Sequence, residues 1–435
     1  MTTTYDPHHE AYVAEDDVRR ELARAFDICH DCRLCVDRCT SFPTLFEMLA
    51  GTDGSADELT PAQQDDVVDR CFQCGLCHDV CPYRPELHEA ALDMPRLMLR
   101  ASAMQHAHGR RPARTRTAAR VMGRTKLVGR LGSAWSGLAN RLMRSAPGSP
   151  VRRVLSRTGV SGERRLPTFA GERFSVWFDR RPRIVMSKKQ AAVTVLPTCL
   201  VEYQRSEVGK DLVKVYERNG FECRRSGVEC CGAPLLHSGN VDRFARTAAR
   251  NVATLADEIR SGTEIVIPEP GCGRVIRTAY VDHVPAEMRA DAELVAEHLH
   301  DASAFLVQTH AGGRHVLDTD FDGPVPASVA YHLPPSLQGR DAGYCGRDLM
   351  KLTGARVRLV VQPSGTEGIW TMRDGRDDAV DPIADRLAAR IEATDAEIVA
   401  GDGHLANVTI EERTGRRPVH PLSVLARAYG ISEEL

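Results

Sequence analysis

The 435-residue sequence has no run of about 18 uncharged apolar residues, so it offers no membrane-spanning helix. Its start, Met1 to Glu10, lacks a basic stretch followed by an apolar one, and no secretory signal is expected. Aromatic residues make up only 5%, which leaves few platforms for stacking nucleic-acid bases. There is no glycine-rich phosphate loop, no dinucleotide fingerprint opening a helix after a strand, and no nucleophile–base arrangement. Oxidation of an organic substrate is therefore expected on another polypeptide. The chain itself reads as cytoplasmic.

What the sequence does have is cysteine, 14 residues of it. Cytosolic thiols stay reduced, so clustered cysteines there point to metal or redox chemistry rather than disulfides. A net charge of −2 also hides strong segregation. Residues 1–95 hold 20 Asp and Glu against 7 Lys and Arg, and residues 96–189 hold 23 Lys and Arg against 3 Asp and Glu. An acidic, cysteine-rich head is thus followed by a basic connector and a long acidic body.

In the head, Glu15–Phe26, Leu45–Leu49, Asp65–Arg70 and Leu92–Met104 read as helices, with Thr60-Pro61 a natural helix start. The body alternates differently. Strands are expected over 192–196, 264–267, 328–332, 357–361 and 397–400. Helices are expected over 207–218, 240–260, 347–352, 382–393 and 422–428. Such alternation implies parallel sheets, arranged here as two related halves in tandem.

The run Cys29-x-x-Cys32-x-x-Cys35-x-x-x-Cys39 is repeated by Cys71-x-x-Cys74-x-x-Cys77-x-x-x-Cys81-Pro82. This is the bacterial two-cluster ferredoxin spacing, in which the fourth cysteine of each run ligates the other cluster. Cys29, Cys32, Cys35 and Cys81 are therefore assigned to one [4Fe–4S] cluster, and Cys71, Cys74, Cys77 and Cys39 to a second. Thr40 stands where a proline is expected. Zinc would use pairs separated by longer spacers. With four cysteines per cluster no iron is left open to substrate, so these centres should only carry electrons.

Further along, Cys199, Cys230, Cys231 and Cys272 fall in loops after strand ends, where a doubly wound sheet presents its ligands. Together they could hold a third cluster; zinc or free thiols remain the alternatives. Cys223 lies within a strand and reads as a buried thiol, and Cys345 stands alone.

The paired runs followed by Cys199, Cys230-Cys231-Gly232-Ala233-Pro234 and Pro270-Gly271-Cys272 resemble the CCG-domain (cysteine-rich) iron–sulfur oxidoreductases. That family includes heterodisulfide reductase subunits and the iron–sulfur subunits of glycolate and lactate oxidases. The likeness is strongest to the members found in anaerobic glycerol-3-phosphate dehydrogenases, through Cys199–Tyr203, Gly209–Leu212 and His420-Pro421. The resemblance implies an α+β multidomain chain. Residues 1–105 would form an α-helical ferredoxin-like head with two [4Fe–4S] clusters, and residues 106–189 a connector. Residues 190–312 would form a first α/β CCG domain, and residues 313–435 a second one that has lost its ligands. There Pro334-Pro335-Ser336, Pro363-Ser364-Gly365, Gly403 and Ala406 occupy the cysteine-bearing positions. The resemblance also implies a flavoprotein dehydrogenase partner and a quinone or protein acceptor.

Within residues 110–144, Leu127, Val128, Leu131, Trp135, Leu138 and Leu142 recur at three- and four-residue spacing among arginines. A basic amphipathic helix suits a membrane surface, a partner, or packing on the body while neutralising the head. Peripheral contact with the inner face of the membrane follows from the first use. No nucleic-acid partner is expected. His30 and His78 lie inside the cluster loops, and His237 is a candidate to sit behind the third set.

The expected function is an iron–sulfur electron-transfer protein serving a glycerol-3-phosphate, glycolate or lactate type dehydrogenase. Two alternatives stand beside it. One is an enzyme reducing a small disulfide or peroxide at the third set; the other is a redox-sensing scaffold.

Overall fold

The computed structural model describes residues 3–39, 41–182, 191–337, 344–375 and 377–432; Thr40 and connector residues 183–189 lie outside them. The first long helix spans Glu15–Cys32. Glu15, Asp16 and Asp17 fill its electropositive first turn, and Val18, Leu22, Ala25 and Phe26 recur at helical spacing and are buried. The expected end at Phe26 is too early, because helical geometry continues through Cys29 and Cys32. Arg33 stops it with a left-handed φ of 53°, returning its N–H to the Cys29 carbonyl. Thr60 and Gln63 form a reciprocal cap at the start of helix Pro61–Asp69, as the Thr-Pro pair suggests. Helix Met94–Ala107 closes the head over a core of Leu22, Phe26, Leu45, Val67, Leu97 and Met98.

The connector is not one amphipathic helix. It forms helices Ala113–Met122, Thr125–Ala134 and Ser136–Met143, interrupted by non-helical Arg124 and Trp135. The breaks let it pack at close range against both the body and its own later residues. A Cβ on Gly129 would lie 2.4 Å from the Tyr203 ring, and one on Gly132 2.5 Å from the Phe169 ring. The opposite side stays open to solvent, with Leu127, Leu131, Trp135 and Leu138 all exposed.

The body holds two parallel sheets. The first contains β1 (Ala191–Val195), β2 (Phe221–Arg225), β3 (Glu264–Ile267) and β4 (Leu299–Asp301) in the order β2-β1-β3-β4. The second contains β5 (Ser328–His332), β6 (Arg356–Val360) and β7 (Ile398–Gly401) in the order β6-β5-β7. Each sheet winds outward in both directions from its first strand. Successive β3 residues point to opposite faces, so Val266 joins one core while Ile265 and Ile267 join the other. β4 was not anticipated; three residues are too few to show a pattern.

Two further differences have physical causes. Helix Asp377–Glu392 begins well before the expected Pro382, which it carries inside at the loss of a backbone hydrogen bond. Asp377 anchors the added turn by accepting from the Ser161 hydroxyl at 3.2 Å and pairing with Arg164 at 3.3 Å. The halves also share one core: Leu349, Leu422 and Leu425 pack with Leu212 and Val215 from the first half.

Candidate metal centres

The first set of head cysteines is built from three pieces of chain. Cys29 and Cys32 lie one turn apart at the end of helix Glu15–Cys32, so both face the same way, and Cys35 follows the reversal at Arg33. Cys81 returns from the second run. These four thiols feel one another electrostatically: Cys35, Cys81 and Cys32 add to burial in raising Cys29. Burial, then Cys81 and Cys32, pushes Cys35 up to about 11.

Cys39, Cys71, Cys74 and Cys77 form the second set. Gln73 and Gly75 both adopt left-handed backbone, with φ of 59° and 80°, and wrap the loop around their sulfurs. Burial pushes Cys71 to about 11 and Cys74 to about 12, and drives Cys39 and Cys77 far above the ordinary thiol value. Cys39 and Cys77 each feel Cys71 and Cys74. The two sets lie close together, since Cys35 also acts on Cys77 and its thiol lies 3.8 Å from the Cys77 carbonyl.

In the body, the ends of β1, β2 and β3 lie side by side at the point where winding reverses. Cys199 sits in the first turn of helix Thr198–Tyr203, Cys230 and Cys231 in the loop after β2, and Cys272 in the first turn of helix Pro270–His283. The Cys231 and Cys272 sulfurs are 3.2 Å apart. Hydrogen bonds from Cys199 and Cys231 hold the Cys230 thiol far below its ordinary value, while those two donors are pushed well above theirs. The connector takes part, because the Thr125 hydroxyl also bonds Cys230. Immediately before Cys199, Thr198 is held at φ 63°, a strained conformation for a β-branched residue. Its buried hydroxyl has no hydrogen-bond partner.

A cavity of about 80 Å³ joins these sulfurs to much else. The second head set reaches it through Gln73 and Cys74, and the second half through Pro334, Pro335, Ser336, Gly403 and Ala406. The positions that have lost sulfur thus occupy the same strand ends in the second sheet. Gly365 keeps φ 74° where Gly232 has 80°, so the turn survives without its cysteines. Hydrogen bonds now hold it: the Ser364 N–H and hydroxyl both donate to Glu367, at 2.6 and 2.9 Å.

Two residues at this cavity, Glu269 and Arg274, escaped the sequence reading. Burial pushes the Glu269 carboxyl up to about 8, although the His404 N–H donates to it at 3.1 Å. Arg274 donates to the Gln73 carbonyl at 2.6 Å. Both flank Cys272 closely in sequence, and that adjacency was the only signal available. His237, expected behind the third set, lines the cavity with its Nδ1 unpartnered, and burial drops it to about 3. His30 instead contacts Arg33 at 2.6 Å. Cys223 is buried in β2, and Cys345 is buried at the start of helix Cys345–Lys351.

Two larger openings reach the third set. An open groove of about 910 Å³ lined by Arg124, Lys126, Arg243, Arg246 and Arg250 leads to Cys230. An apolar cavity of about 260 Å³ beneath the connector, lined by Met122, Val128, Leu166 and Phe169, has Cys199 in its wall.

The thiols fit iron–sulfur centres chemically. Each set is four soft donors, and the buried ones resist ionising together unless a cation compensates them. Among the described residues no group of three or more His, Cys, Asp or Glu side chains is arranged to hold a single metal ion. No helix among them is long and apolar enough to cross a membrane.

Residues 193–277 match the family model of the cysteine-rich domain, CCG. One subunit of the anaerobic glycerol-3-phosphate dehydrogenase of Escherichia coli (strain K12) is 24% identical over 313 residues, covering 71% of this chain and 76% of that protein. Lactate utilization protein A of Bacillus cytotoxicus is 30% identical over 117 residues, 26% of this chain and 47% of the relative. One subunit of the fumarate reductase (CoM/CoB) of Methanothermobacter marburgensis is 32% identical over 84 residues, 19% and 16% respectively. The resemblance read from the cysteine motifs is thus shown, with the matched residues spanning β1 to β3 and the third cysteine set.

Proposed function

We propose that this chain is an iron–sulfur electron-transfer subunit of an oxidoreductase complex. Its donor would be a flavin-dependent dehydrogenase of glycerol-3-phosphate, glycolate or lactate type, and its acceptor a quinone or a second protein. Cys29, Cys32, Cys35 and Cys81 would hold one [4Fe–4S] cluster, and Cys39, Cys71, Cys74 and Cys77 another. Cys199, Cys230, Cys231 and Cys272 would hold a third. When bound, these centres would supply one-electron transfer without proton or bond changes.

The chain's own residues do the rest. The head core around Phe26 and Leu97 holds the two runs in register, and the strand ends β1 to β3 present the third set. The observation that carries the reading is the shared cavity, in which Cys74 of the head meets all four body thiols. In domain terms, residues 1–105 would be the two-cluster head, 106–189 the connector, 190–312 the liganded body and 313–435 its metal-free mate. The similarity to the glycerol-3-phosphate dehydrogenase subunit and to lactate utilization protein A supports the choice of partner. The exposed apolar side of the connector supports peripheral contact with the cytoplasmic membrane surface, and the apolar cavity beside Cys199 suits a quinone ring.

A second reading rests on the open basic groove at Cys230, through which an anionic disulfide or peroxide could reach the third set. Iron and acid-labile sulfide per anaerobically purified chain, with EPR of the reduced state, test both. About twelve irons are expected, four for each of three clusters. Cys272→Ser should remove about four irons and one signal while leaving the head's coupled pair. An iron-free, zinc-containing chain would sink the electron-transfer reading. Full iron content with rapid turnover of a small disulfide would favour the second.

A further inference from the structure

One contact between the second cysteine loop of the head and the body is made by a cation. Arg274 stands two residues after Cys272, in the first turns of helix Pro270–His283, and crosses to the second cysteine loop of the head. Its Nη2 donates to the carbonyl of Gln73, between Cys71 and Cys74. The loop is shaped to receive it. A Cβ on Gly75 would lie 1.9 Å from Nη1, and the φ of 80° there also favours glycine, so a side chain at 75 would displace the guanidinium.

Charge makes this contact more than a strut. Among the described residues, no carboxylate forms an ion pair with Arg274, which is only partly exposed. The carboxyls sharing its cavity are bonded elsewhere, Glu269 to the His404 N–H at 3.1 Å and Glu367 to the Ser364 N–H at 2.6 Å. Asp79 also feels the guanidinium without forming an ion pair with it. The cation therefore bears on Cys71 and Cys74 without an ion pair of its own, although Glu367 acts on Cys74 more strongly and in the opposite sense. Arg373 also lies near Cys71, but it is committed to Asp69 at 2.8 Å. Around the first set the arrangement differs: Arg38 is exposed, and Arg84 pairs loosely with Glu86 at 3.8 Å. Water screens such charges far more than one held in a protein contact.

We propose that Arg274 is a positioning residue that makes the second head set, Cys39, Cys71, Cys74 and Cys77, the easier of the two to reduce and holds it against the body set. This rests on the reading that those cysteines carry iron–sulfur clusters. One electron arriving at the first set then moves downhill to the second and leaves toward Cys199, Cys230, Cys231 and Cys272, with no bond made or broken. With an effective dielectric of about 20, one unit charge about 12 Å away shifts a one-electron equilibrium by about tenfold, equivalent to about 59 mV.

The test is a dithionite-driven redox titration of the full chain, followed by EPR, on wild type, Arg274→Gln and Arg274→Lys, with iron and sulfide counted for each. Arg274→Gln should retain wild-type iron yet make one head cluster about tenfold harder to reduce, and Arg274→Lys should recover most of that shift. Unchanged potentials at full iron content would overturn the inference, as would loss of iron from both variants, which would leave Arg274 a strut. A wild-type chain without iron would fail the functional reading itself, and that outcome is seen before any variant is compared.

Discussion

At the scale of single residues, several side chains are held in ionisation states that water would not give them. His332, at the end of β5, is fully buried, with its Nε2 on the Gln362 carbonyl at 2.9 Å and its Nδ1 unpartnered. Burial drops it from the ordinary 6.5 to about 4. A histidine with a depressed folded value supports the fold fully above about pH 6.5 and loses that support as pH falls toward 4, because only the unfolded chain takes the proton. Relative to His332→Asn, the wild type should therefore lose roughly 3 kcal/mol between about pH 7 and about pH 4. Urea unfolding at several pH values measures the difference, and a gap independent of pH would contradict it. The glycines are legible at this scale as well. Gly232 and Gly365 keep left-handed backbone at corresponding turns, one beside cysteines and one without them.

Among the elements, the connector is the most exposed to test. Leu131 is 56% exposed and Leu138 60%, so both can be changed without disturbing the body. Burying a leucine in the interfacial region contributes about 1.5–3 kcal/mol, which is tenfold or more in partitioning per residue. Leu131→Glu with Leu138→Glu should thus reduce cosedimentation with phosphatidylglycerol vesicles at least tenfold while leaving the melting temperature unchanged. Equal binding by variant and wild type would exclude this face as the membrane contact. Periodicity revealed the apolar positions of the connector but not its two breaks. These are set by close packing, where Gly129 passes Tyr203 of the body and Gly132 passes Phe169 from later in the connector.

In the whole molecule, head, connector and body meet at one buried ion cluster. Asp69 of the head accepts from Arg111 of the connector at 3.2 Å and from Arg373 of the body at 2.8 Å. Both arginines are only 3% exposed, and each stacks near Trp370. Removing one partner strands the others in a medium that cannot solvate them. Asp69→Ala should cost about 3–5 kcal/mol in urea unfolding. Asp257→Ala, at an exposed pair with Arg260, should cost less than about 1 kcal/mol. Similar losses for the two would mean that the cluster does not join the three parts.

Local chemistry and periodicity alone determined much of this protein. The expectation of two sets of four comes from the spacing of eight cysteines, because bacterial two-cluster ferredoxins use that repeat. Alternating strands and helices were enough for two parallel sheets, because each pattern buries only one kind of face. The loss of sulfur from the second half was also plain, since proline and glycine have no donor to offer. What only the tertiary structure decided is how these pieces confront one another. No periodicity says that Cys74 and Cys272 border one cavity, that Arg274 crosses to Gln73, or that Glu269 is buried enough to be pushed to about 8. Those facts depend on contacts between residues far apart in the chain, and a through-space field or a desolvation cost leaves no mark on the sequence that bears it.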